Sequence, residues 1–467
     1  MGSALGIFRL LLAALLLVSV NANAGQGAPT GYAKQAFDTW LSAHNSGEPT
    51  KLEAFNSKYD PENDYKWYVN FRESVGELQL LEVKADTPTR LDALVLSEWG
   101  NAMLASIIFE DDADYAFDEM RFEGVPTPDA FKPAPVAWEL LIQEATRRLD
   151  ELEAKDKLSG SFLMRCKGKQ DFAWNGGLAD REASVPASAT TRFRMASLGK
   201  MFTAVAILQL ADAGRLSLDD PLSRHLPDYP NQAVARAITL RQLLNHTSGT
   251  GEIFSDEFPK ISASLKTHRD YWGTFASKPL EFDPGTQERY SNYGYILLGS
   301  VVEAVSGKSY YDYVDQHIYR PAGMTSTGSD PETTPVPERA HAYTASDDKK
   351  WFREIGRLPW RGTAAGGGYT TTRDLVSFAT ALEDGTLISA KSLAAATRGQ
   401  NLKGWYGYGF MVSGEGHDRQ YGHEGGAPGM NGILNVRPAQ GCVVAGLSNF
   451  DPASMANIVN FVTHRLP

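Results

Sequence analysis

Cysteine is scarce in this sequence, and long basic runs are missing. Two cysteines occur among 467 residues, Cys166 and Cys442, and no cysteine or histidine cluster has metal-ligand spacing, so we expect neither a metal nor a cofactor. A formal net charge of −11 without a Lys/Arg run disfavours nucleic acid and anionic membranes as partners. Repeats, a Gly-x-Ser-x-Gly elbow and a His-Glu-x-x-His pair are also absent, which argues against two common hydrolase types.

The first 24 residues have the pattern of a secretory signal peptide. Arg9 precedes an apolar run over residues 10–20, and Ala22-Asn23-Ala24 supplies small residues at the cleavage position. The run is shorter than the roughly 20 residues that span a bilayer, and no cysteine follows it to accept a lipid. We therefore expect cleavage and export to the periplasm or the exterior, with no transmembrane anchor afterwards. An uncleaved anchor is the alternative.

The pairing of the two cysteines stays open at the level of sequence. Cys166 and Cys442 both lie in strand-like stretches, and an oxidising compartment would allow them to form a disulfide. Cysteine is also among the most buried residue types, so two separate buried thiols are the other interpretation.

A change of pattern predicts a small N-terminal domain over residues 25–125. Its first part has helical spacing, as in Phe37, Trp40 and Leu41. Strand-like runs follow at residues 78–80, 91–96, 103–109 and 115–122. Helices followed by strands predict an α+β unit, and nothing in it has a catalytic pattern, so we interpret it as an accessory domain.

Residues 126–135 contain four prolines and predict a stiff linker. The second domain then covers residues 136–467. It has strand-like runs near both ends, at 161–166, 171–174, 432–436 and 442–447, around a long helical and loop-rich middle. We expect the two ends of this domain to meet in one sheet.

The first candidate for chemistry is Ser197-Leu198-Gly199-Lys200, at the start of an apolar helical run that extends to Leu210. A spacing of three places Ser197 and Lys200 on one helix face. A lysine can act as the base for a serine hydroxyl when burial lowers its pKa. The spacing alone is weak evidence, because Ser346 and Lys349 repeat it in a polar stretch, and an N-cap serine is the competing interpretation.

Two further segments contain residues of catalytic type. Tyr290-Ser291-Asn292 follows a turn and precedes an apolar run; a tyrosine relays protons when a nearby cation lowers its pKa, and an asparagine both donates and accepts. His423-Glu424-Gly425-Gly426 closes a short strand, where glycines would let a substrate lie along the backbone. Taken singly, a surface tyrosine in a turn and a glycine-rich turn are the competing interpretations.

Together, in this order and spacing, the three segments resemble the S-x-x-K, Y-x-N and K-or-H-x-G motifs of the serine β-lactamase and penicillin-binding protein superfamily. The resemblance is closest to its branch of class C β-lactamases, esterases and D-aminopeptidases. It covers about residues 136–467 and is supported by residues 243–249 and 366–375. It implies an α/β fold in which helices flank an antiparallel sheet, with an all-helical subdomain. Residues 25–125 remain unexplained by it.

The resemblance also implies a role for each matched residue. Ser197 would be the nucleophile that forms an acyl-enzyme, with Lys200 and Tyr290 sharing its proton. The backbone amides of Ser197 and Gly426 would form the oxyanion hole. Substrate binding is implied for Asn292, His423, Gly425 and Gly426.

His423 occupies a position at which many β-lactamases of the superfamily have lysine. With a reference pKa near 6.5, histidine is mostly neutral at pH 7, so the KM of a substrate held through its carboxylate should rise as pH passes about 6.5. Glu424 beside it could raise that pKa or repel a carboxylate.

We therefore expect an esterase or a D-amino-acid or cell-wall peptidase-like enzyme acting on a small-molecule or peptide acyl substrate. A β-lactamase or D-alanyl-D-alanine carboxypeptidase is the alternative within the same chemistry. An inactive protein that binds peptidoglycan or a partner is the alternative of a different class. The acyl group, the leaving group and the oligomeric state stay open.

Overall fold

We describe the protein from a computed structural model, over residues 31–109, 116–346, 350–354, 356 and 358–467. The predicted signal peptide and the segment 347–349 of the second Ser-x-x-Lys sequence lie outside these residues. The chain divides into two compact units, Met1–Val136 and Ala137–Pro467. Among the described residues, no helix combines the length and the apolar character needed to cross a membrane.

The described part of the first unit consists of helices packed on an antiparallel meander. Its helices are α1 (Tyr32–Ser46), α2 (Pro49–Tyr59) and α3 (Lys66–Val75). Its strands are β1 (Leu78–Thr87), β2 (Arg90–Ser97), β3 (Ala102–Ile108) and β4 (Glu119–Val125), hydrogen-bonded in this order. Phe37 and Trp40 of α1 are fully buried in the core of this unit, as their helical spacing predicts. A short 3₁₀ segment, Asp129–Phe131, follows β4.

The fourth strand begins later than the sequence pattern indicates. Of the predicted run 115–122, residue 115 lies outside the described part, and the ladder with β3 starts at Glu119. The backbone N–H of Phe117 donates to the Tyr59 carbonyl at 2.9 Å. This hydrogen bond ties Phe117 to the end of α2. Phe117 therefore precedes β4, although its apolar side chain fits the pattern of the strand.

The second unit has a longer series of elements. Its helices are α4 (Trp138–Ala154), α5 (Gly199–Asp212), α6 (Leu222–His225), α7 (Gln232–Ala237), α8 (Leu240–Leu244), α9 (Phe258–Ile261), α10 (His268–Phe275), α11 (Asn292–Ser306), α12 (Tyr310–Val314), α13 (Thr372–Glu383), α14 (Ala390–Ala396) and α15 (Ser454–Thr463). Its strands are β5 (Gly160–Cys166), β6 (Phe172–Gly176), β7 (Leu178–Asp180), β8 (Val185–Pro186), β9 (Phe193–Arg194), β10 (Tyr343–Ala345), β11 (Trp351–Arg353), β12 (Tyr369–Thr370), β13 (Met411–Ser413), β14 (Gln420–Ala427), β15 (Met430–Arg437) and β16 (Cys442–Ser448).

The main sheet of this unit has six strands in the order β13-β14-β15-β16-β5-β6, and every neighbouring pair is antiparallel. Strand β16, near the end of the chain, pairs with β5, near the start of the unit, so the predicted meeting of the two ends in one sheet is confirmed. Cys442 lies directly opposite Cys166 in this pair, and the two form a disulfide. The structure thus selects the paired interpretation of the cysteines.

The two faces of the sheet carry different helices. A Cβ on Gly446 would meet side-chain atoms of Met455 and Val459 on α15. On the opposite face, a Cβ on Gly432 would lie 2.9 Å from Leu198, at the entry to α5. The hydroxyl of Ser161 is hydrogen-bonded to Thr372 at the start of α13. In the helical region, α11 packs against α5, α8, α10 and α12.

Candidate active site

Ser197 lies in a tight turn that leads directly into α5. The turn is a 3₁₀ segment, Ala196–Leu198, and Ala196 has a φ of +44°, in the left-handed region that alanine rarely adopts. The Ala196 carbonyl accepts a hydrogen bond from Gly367 N–H at 2.9 Å. A Cβ on Gly366 would approach that carbonyl oxygen to 2.3 Å. The glycines at 366 and 367 therefore let the backbone come close enough to hold this turn.

The N-cap interpretation of Ser197 is wrong. Helix α5 begins at Gly199 with Leu198 as its N-cap, and no side chain of the described residues caps it. The predicted helical run is confirmed, because α5 extends to Asp212. Ser197 is partly exposed and Lys200 is fully buried, at 0% exposure.

The Lys200 ammonium group lies among three acceptors. Its Nζ atom is 3.2 Å from Ser197 Oγ and 2.6 Å from Asn292 Oδ1, and it donates to the Ala365 carbonyl. The amide oxygen of Asn292 and the carbonyl of Ala365 can only accept, so they take the two N–H groups of a neutral amine. The lone pair of that amine then faces the Ser197 hydroxyl.

The electrostatic surroundings favour the neutral amine. Burial lowers the pKa of Lys200 to about 7, while the negative charge of Glu252 acts in the opposite direction. A pKa near the working pH is what a general base requires. The sequence-based expectation that burial would lower the pKa of this lysine therefore agrees with the structure.

Tyr290 lies beside the same pair. Its hydroxyl is hydrogen-bonded to Ser197, and Lys200 Nζ is 4.7 Å from the centroid of its ring. Burial raises the pKa of Tyr290 well above its usual value, and the bond with Ser197 offsets this only in part. Desolvation of the phenolate therefore dominates over any lowering of this pKa by a nearby cation. Tyr290 is a neutral hydroxyl at physiological pH.

His246 supports the position of Tyr290. The two rings are 4.3 Å apart between centroids, and His246 Nδ1 accepts from Ser291 N–H at 3.1 Å. The His246 carbonyl also accepts from Arg289 N–H at 2.9 Å. His246 itself has a φ of +63°. This residue belongs to the supporting stretch 243–249, but its contact with Tyr290 is not visible in sequence.

His423 is buried and neutral. Its Nδ1 is 2.6 Å from the backbone oxygen of Glu424, which can only accept, so Nδ1 carries the proton and Nε2 accepts from the Tyr406 hydroxyl at 2.9 Å. Burial, together with the charge of Lys200, lowers the pKa of His423 to about 3. The expected rise of KM as pH passes 6.5 is therefore wrong, because this histidine does not titrate there. Neighbouring Glu424 is half-buried, and the desolvation of its carboxyl raises its pKa to about 7.

Gly425 and Gly426 lie on β14, where this strand passes the Ser197 turn. A Cβ on Gly425 would come to 2.7 Å from the Met195 carbonyl oxygen and 2.8 Å from Ser197 N. Glycine is therefore required for the close approach of the strand to the Ser197 turn. Gly426 is the next residue along and pairs with Asn431 of β15.

Asn292 connects the site to a residue that sequence reasoning missed. Its Oδ1 faces Lys200, and its Nδ2 donates to Glu252 Oε2 at 2.8 Å. Glu252 follows the Thr250-Gly251 pair in a loop, and no periodicity or motif distinguishes it in the sequence. Tyr406 and Ala365, the partners of His423 and Lys200, were missed for the same reason.

One group of side chains among the described residues could hold a metal ion. The ligand atoms of Asp180, Glu182 and His341 lie within 4.8 Å of one another. The positive charge of Arg353 acts on Asp180 and His341, and Glu182 already accepts a hydrogen bond from the Tyr343 hydroxyl. A cation would meet an existing positive charge there, so we assign the group no metal.

Comparison with known proteins identifies the family to which this chain belongs. The family model described as Beta-lactamase matches residues 145–462, so the chain belongs to this family, within the serine β-lactamase and penicillin-binding protein superfamily. This confirms the resemblance inferred from the motifs. The predicted α/β fold class is also confirmed.

Individual relatives carry penicillin-binding and amidase names. PbpX of Bacillus subtilis strain 168, named as a penicillin-binding protein, is 32% identical over 296 residues, which cover 62% of this chain and 70% of PbpX. The crystal structure of a penicillin-binding protein from Bacillus halodurans aligns with a TM-score of 0.60 at 30% identity, over 66% of this chain and 97% of that one. D-amino acid amidase from Ochrobactrum anthropi SV3, solved with L-phenylalanine, aligns with a TM-score of 0.58 at 26% identity, over 70% and 97%.

Proposed function

We propose that this protein is a serine hydrolase that acts through an acyl-enzyme on Ser197. The arrangement around Lys200 Nζ carries the proposal. Two obligate acceptors, Asn292 Oδ1 and the Ala365 carbonyl, hold a buried amine so that its lone pair faces the Ser197 hydroxyl at 3.2 Å.

In the acylation step, Ser197 Oγ forms a bond to the acyl carbon and its proton passes to Lys200. The bond to the leaving group then breaks, and that group takes a proton from Tyr290, which regains one from Lys200. The raised pKa of Tyr290 suits a proton donor more than a resident base. The backbone amides of Ser197 and Gly426 would hold the oxyanion, where one donor contributes about 2.7 to 4 kcal/mol. Water, or an acceptor amine or alcohol, then releases the acyl group.

An ester or amide is the substrate class that the site favours. A lysine in the third motif would offer a cation to a substrate carboxylate, whereas both ring nitrogens of His423 are engaged and its pKa is lowered to about 3. We therefore rank an esterase or a D-amino-acid or cell-wall peptidase-like activity above a β-lactamase or D-alanyl-D-alanine carboxypeptidase. The amidase of Ochrobactrum anthropi named above is compatible with this order.

We further propose that residues 136–467 contain the whole catalytic apparatus, that residues 25–125 are an accessory domain and that residues 126–135 are a linker. The separate apolar cores of the two units support this division. We also propose export to the periplasm or the exterior, since the disulfide between Cys166 and Cys442 is typical of oxidising compartments.

Intact-mass measurement of acyl adducts tests the proposal. Wild type is exposed to a p-nitrophenyl ester, a D-amino-acid amide and a penicillin, and turnover is followed in parallel. We expect an adduct that is absent from Ser197→Ala and preserved in Ser346→Ala, the serine of the second Ser-x-x-Lys sequence. Fast ester or amide turnover with slow penicillin turnover would support the ranking. If no donor gives a Ser197-dependent adduct, the protein is a binding protein and the enzyme proposal is wrong.

A further inference from the structure

Glu252 is held with its carboxylate directed at the amide of Asn292. One oxygen, Oε1, accepts from the backbone N–H groups of Ile253 at 2.6 Å and Phe254 at 3.1 Å. The other, Oε2, accepts from Asn292 Nδ2 at 2.8 Å. Asn292 is itself 5% exposed. The carboxylate therefore has a set orientation and lies one side chain away from Lys200.

We propose that Glu252 is a positioning residue for the Ser197–Lys200 pair. It turns the amide of Asn292 so that the oxygen faces Lys200, and it places a negative charge near the ammonium that forms when Lys200 takes the proton of Ser197. The catalytic meaning of this inference rests on the function proposed above.

The orientation of Asn292 follows from donor and acceptor chemistry. Burial raises the pKa of Glu252, while the hydrogen bonds from Phe254, Asn292 and Ile253 and the charge of Lys200 act in the opposite direction. In its ionised form the carboxylate can only accept, so the NH₂ group of Asn292 must face Glu252 and the amide oxygen must face Lys200. Without the carboxylate, the amide could turn and present its NH₂ group to Lys200 Nζ. Lys200 would then lose one of the two obligate acceptors that direct its lone pair to Ser197.

Among the described residues, Glu252 is the only group near Lys200 that can carry a negative charge at pH 7. The titratable groups that face Lys200 are Tyr290, Tyr295, His246, His423 and Glu252. Burial lowers the pKa of both histidines and raises the pKa of both tyrosines, so all four are neutral at pH 7. Glu252 is therefore the group that opposes the effect of burial on Lys200.

The substitution Glu252→Gln separates charge and orientation from packing. The introduced amide has nearly the same size as the carboxylate it replaces, and its oxygen can still accept from Ile253 and Phe254. Its NH₂ group, however, would face the NH₂ group of Asn292, and two donors cannot form a hydrogen bond with each other. The titration of Lys200 is read by NMR on protein with ¹³C,¹⁵N-labelled lysine, with the signal assigned from Lys200→Met. We expect the pKa of Lys200 to fall by about one pH unit, since a nearby opposite charge is lost. The acylation rate reached at pH values above the Lys200 pKa should fall, because the lone pair is no longer directed by two acceptors, and the pH profile should shift in the same direction as the pKa.

A paired substitution provides the rescue. In Glu252→Gln/Asn292→Asp the introduced amide donates to the introduced carboxylate, which in turn accepts from Lys200, so the donor–acceptor chain is complete again. Because the carboxylate is then next to Nζ, we expect the pKa of Lys200 to rise above the wild-type value. Glu257→Gln is the matched control, since it removes one carboxylate from the same loop where Glu257 is exposed and paired with Lys260. It should leave the Lys200 titration unchanged.

An unchanged Lys200 pKa in Glu252→Gln would overturn the inference. If that variant does not fold, Glu252→Asp withdraws the carboxylate by one carbon and should give a smaller decrease of the same sign; no change would again overturn it. The NMR reading needs no substrate. If the proposed function is wrong but this inference is right, Glu252→Gln should still lower the pKa of Lys200, while wild type forms no adduct on Ser197.

Discussion

At the scale of single residues, the surroundings of Lys200 and Tyr290 shift the pKa values of these two candidate bases in opposite directions. Lys200 and Tyr290 both lie next to Ser197. Lys200 is buried and Tyr290 is half-buried, and each contacts an aromatic ring. Burial disfavours the charged form of each, which lowers the pKa of the lysine and raises that of the tyrosine. The same physical cause therefore suits Lys200 to the proposed role of base near neutral pH and Tyr290 to that of proton donor.

The rate of acyl-enzyme formation should rise with pH through about 7. Lys200 must be neutral to accept the proton of Ser197, and the neutral fraction grows as pH passes the lowered pKa of about 7. About one pH unit below that value roughly a tenth of the lysine is neutral, so acylation should be about tenfold slower. Burst-phase kinetics with a p-nitrophenyl ester across this range measures the profile.

Glu424 provides the control for that profile, because burial raises the pKa of its carboxyl to about 7 as well. Glu424→Gln should keep the wild-type pH dependence if Lys200 is the titrating base. A profile that moves or disappears in this variant would assign the transition to the carboxyl and contradict the role of Lys200.

At the scale of elements, the site depends on the close approach of β14 to the turn before α5. The turn is held by the glycines at 366 and 367, and the strand comes near it only because Gly425 has no side chain. A helix start and a strand end, far apart in sequence, are thereby brought close together. The geometry of the proposed oxyanion hole is a property of this contact.

Gly425→Ala should reduce kcat strongly while the protein stays folded. The added methyl group would lie 2.8 Å from Ser197 N and 2.7 Å from the Met195 oxygen, so the strand must move away from Ser197, the proposed nucleophile. We expect a loss in kcat of about a hundredfold, comparable to loss of one oxyanion donor, and about 1 to 3 kcal/mol in the free energy of unfolding from overpacking. Steady-state kinetics and urea denaturation measure both.

Gly124→Ala is the matched substitution on β4 of the first unit. It also adds a methyl group to a strand glycine, but nothing lies within 4 Å of the new atom. Its kcat should equal that of wild type. Full activity of Gly425→Ala would show that the contact between β14 and the turn is not needed for catalysis.

At the scale of the whole molecule, the second unit is closed by strands from its two ends. β5 and β16 are adjacent in the sheet, and the disulfide between Cys166 and Cys442 joins positions 276 residues apart. All the candidate catalytic residues lie in the chain between these two cysteines. In the unfolded chain, the disulfide therefore closes one long loop that contains all of these residues.

Removing this disulfide should destabilise the fold without changing the catalytic chemistry. A bond that closes a long loop restricts the unfolded chain, and its loss typically costs about 2 to 4 kcal/mol. We expect this decrease in the free energy of unfolding for Cys166→Ala/Cys442→Ala, measured by urea denaturation, with acylation of Ser197 preserved. Wild type under reducing conditions should lose comparable stability, and the double variant should not respond to the reductant. Equal stability of wild type with and without reductant would contradict the expectation.

Sequence by itself determined the family and the fold class. Apolar periodicity located α5, and strand patterns near both ends of the second unit predicted the shared sheet. Both predictions succeed because the spacing and the length of an apolar run follow from the backbone geometry of a helix or a strand. Three ordered motifs favoured Ser197 over Ser346 as the candidate nucleophile, although Ser346 has the same spacing to a lysine. The start of β4 was predicted too early, because an apolar residue such as Phe117 has the same pattern whether it pairs with a strand or with a helix end.

Only the tertiary structure decided the electrostatics and the partners of the site. The pKa values of Lys200, Tyr290 and His423 depend on burial, which no local pattern contains, and the pH dependence expected from His423 was wrong for that reason. Glu252 reaches Asn292 from a loop 40 residues away, so no motif could include it. The pairing of Cys166 with Cys442 likewise needed the register of β5 against β16, because hydrogen bonding between distant strands, and not the sequence around either cysteine, places the two sulfur atoms together.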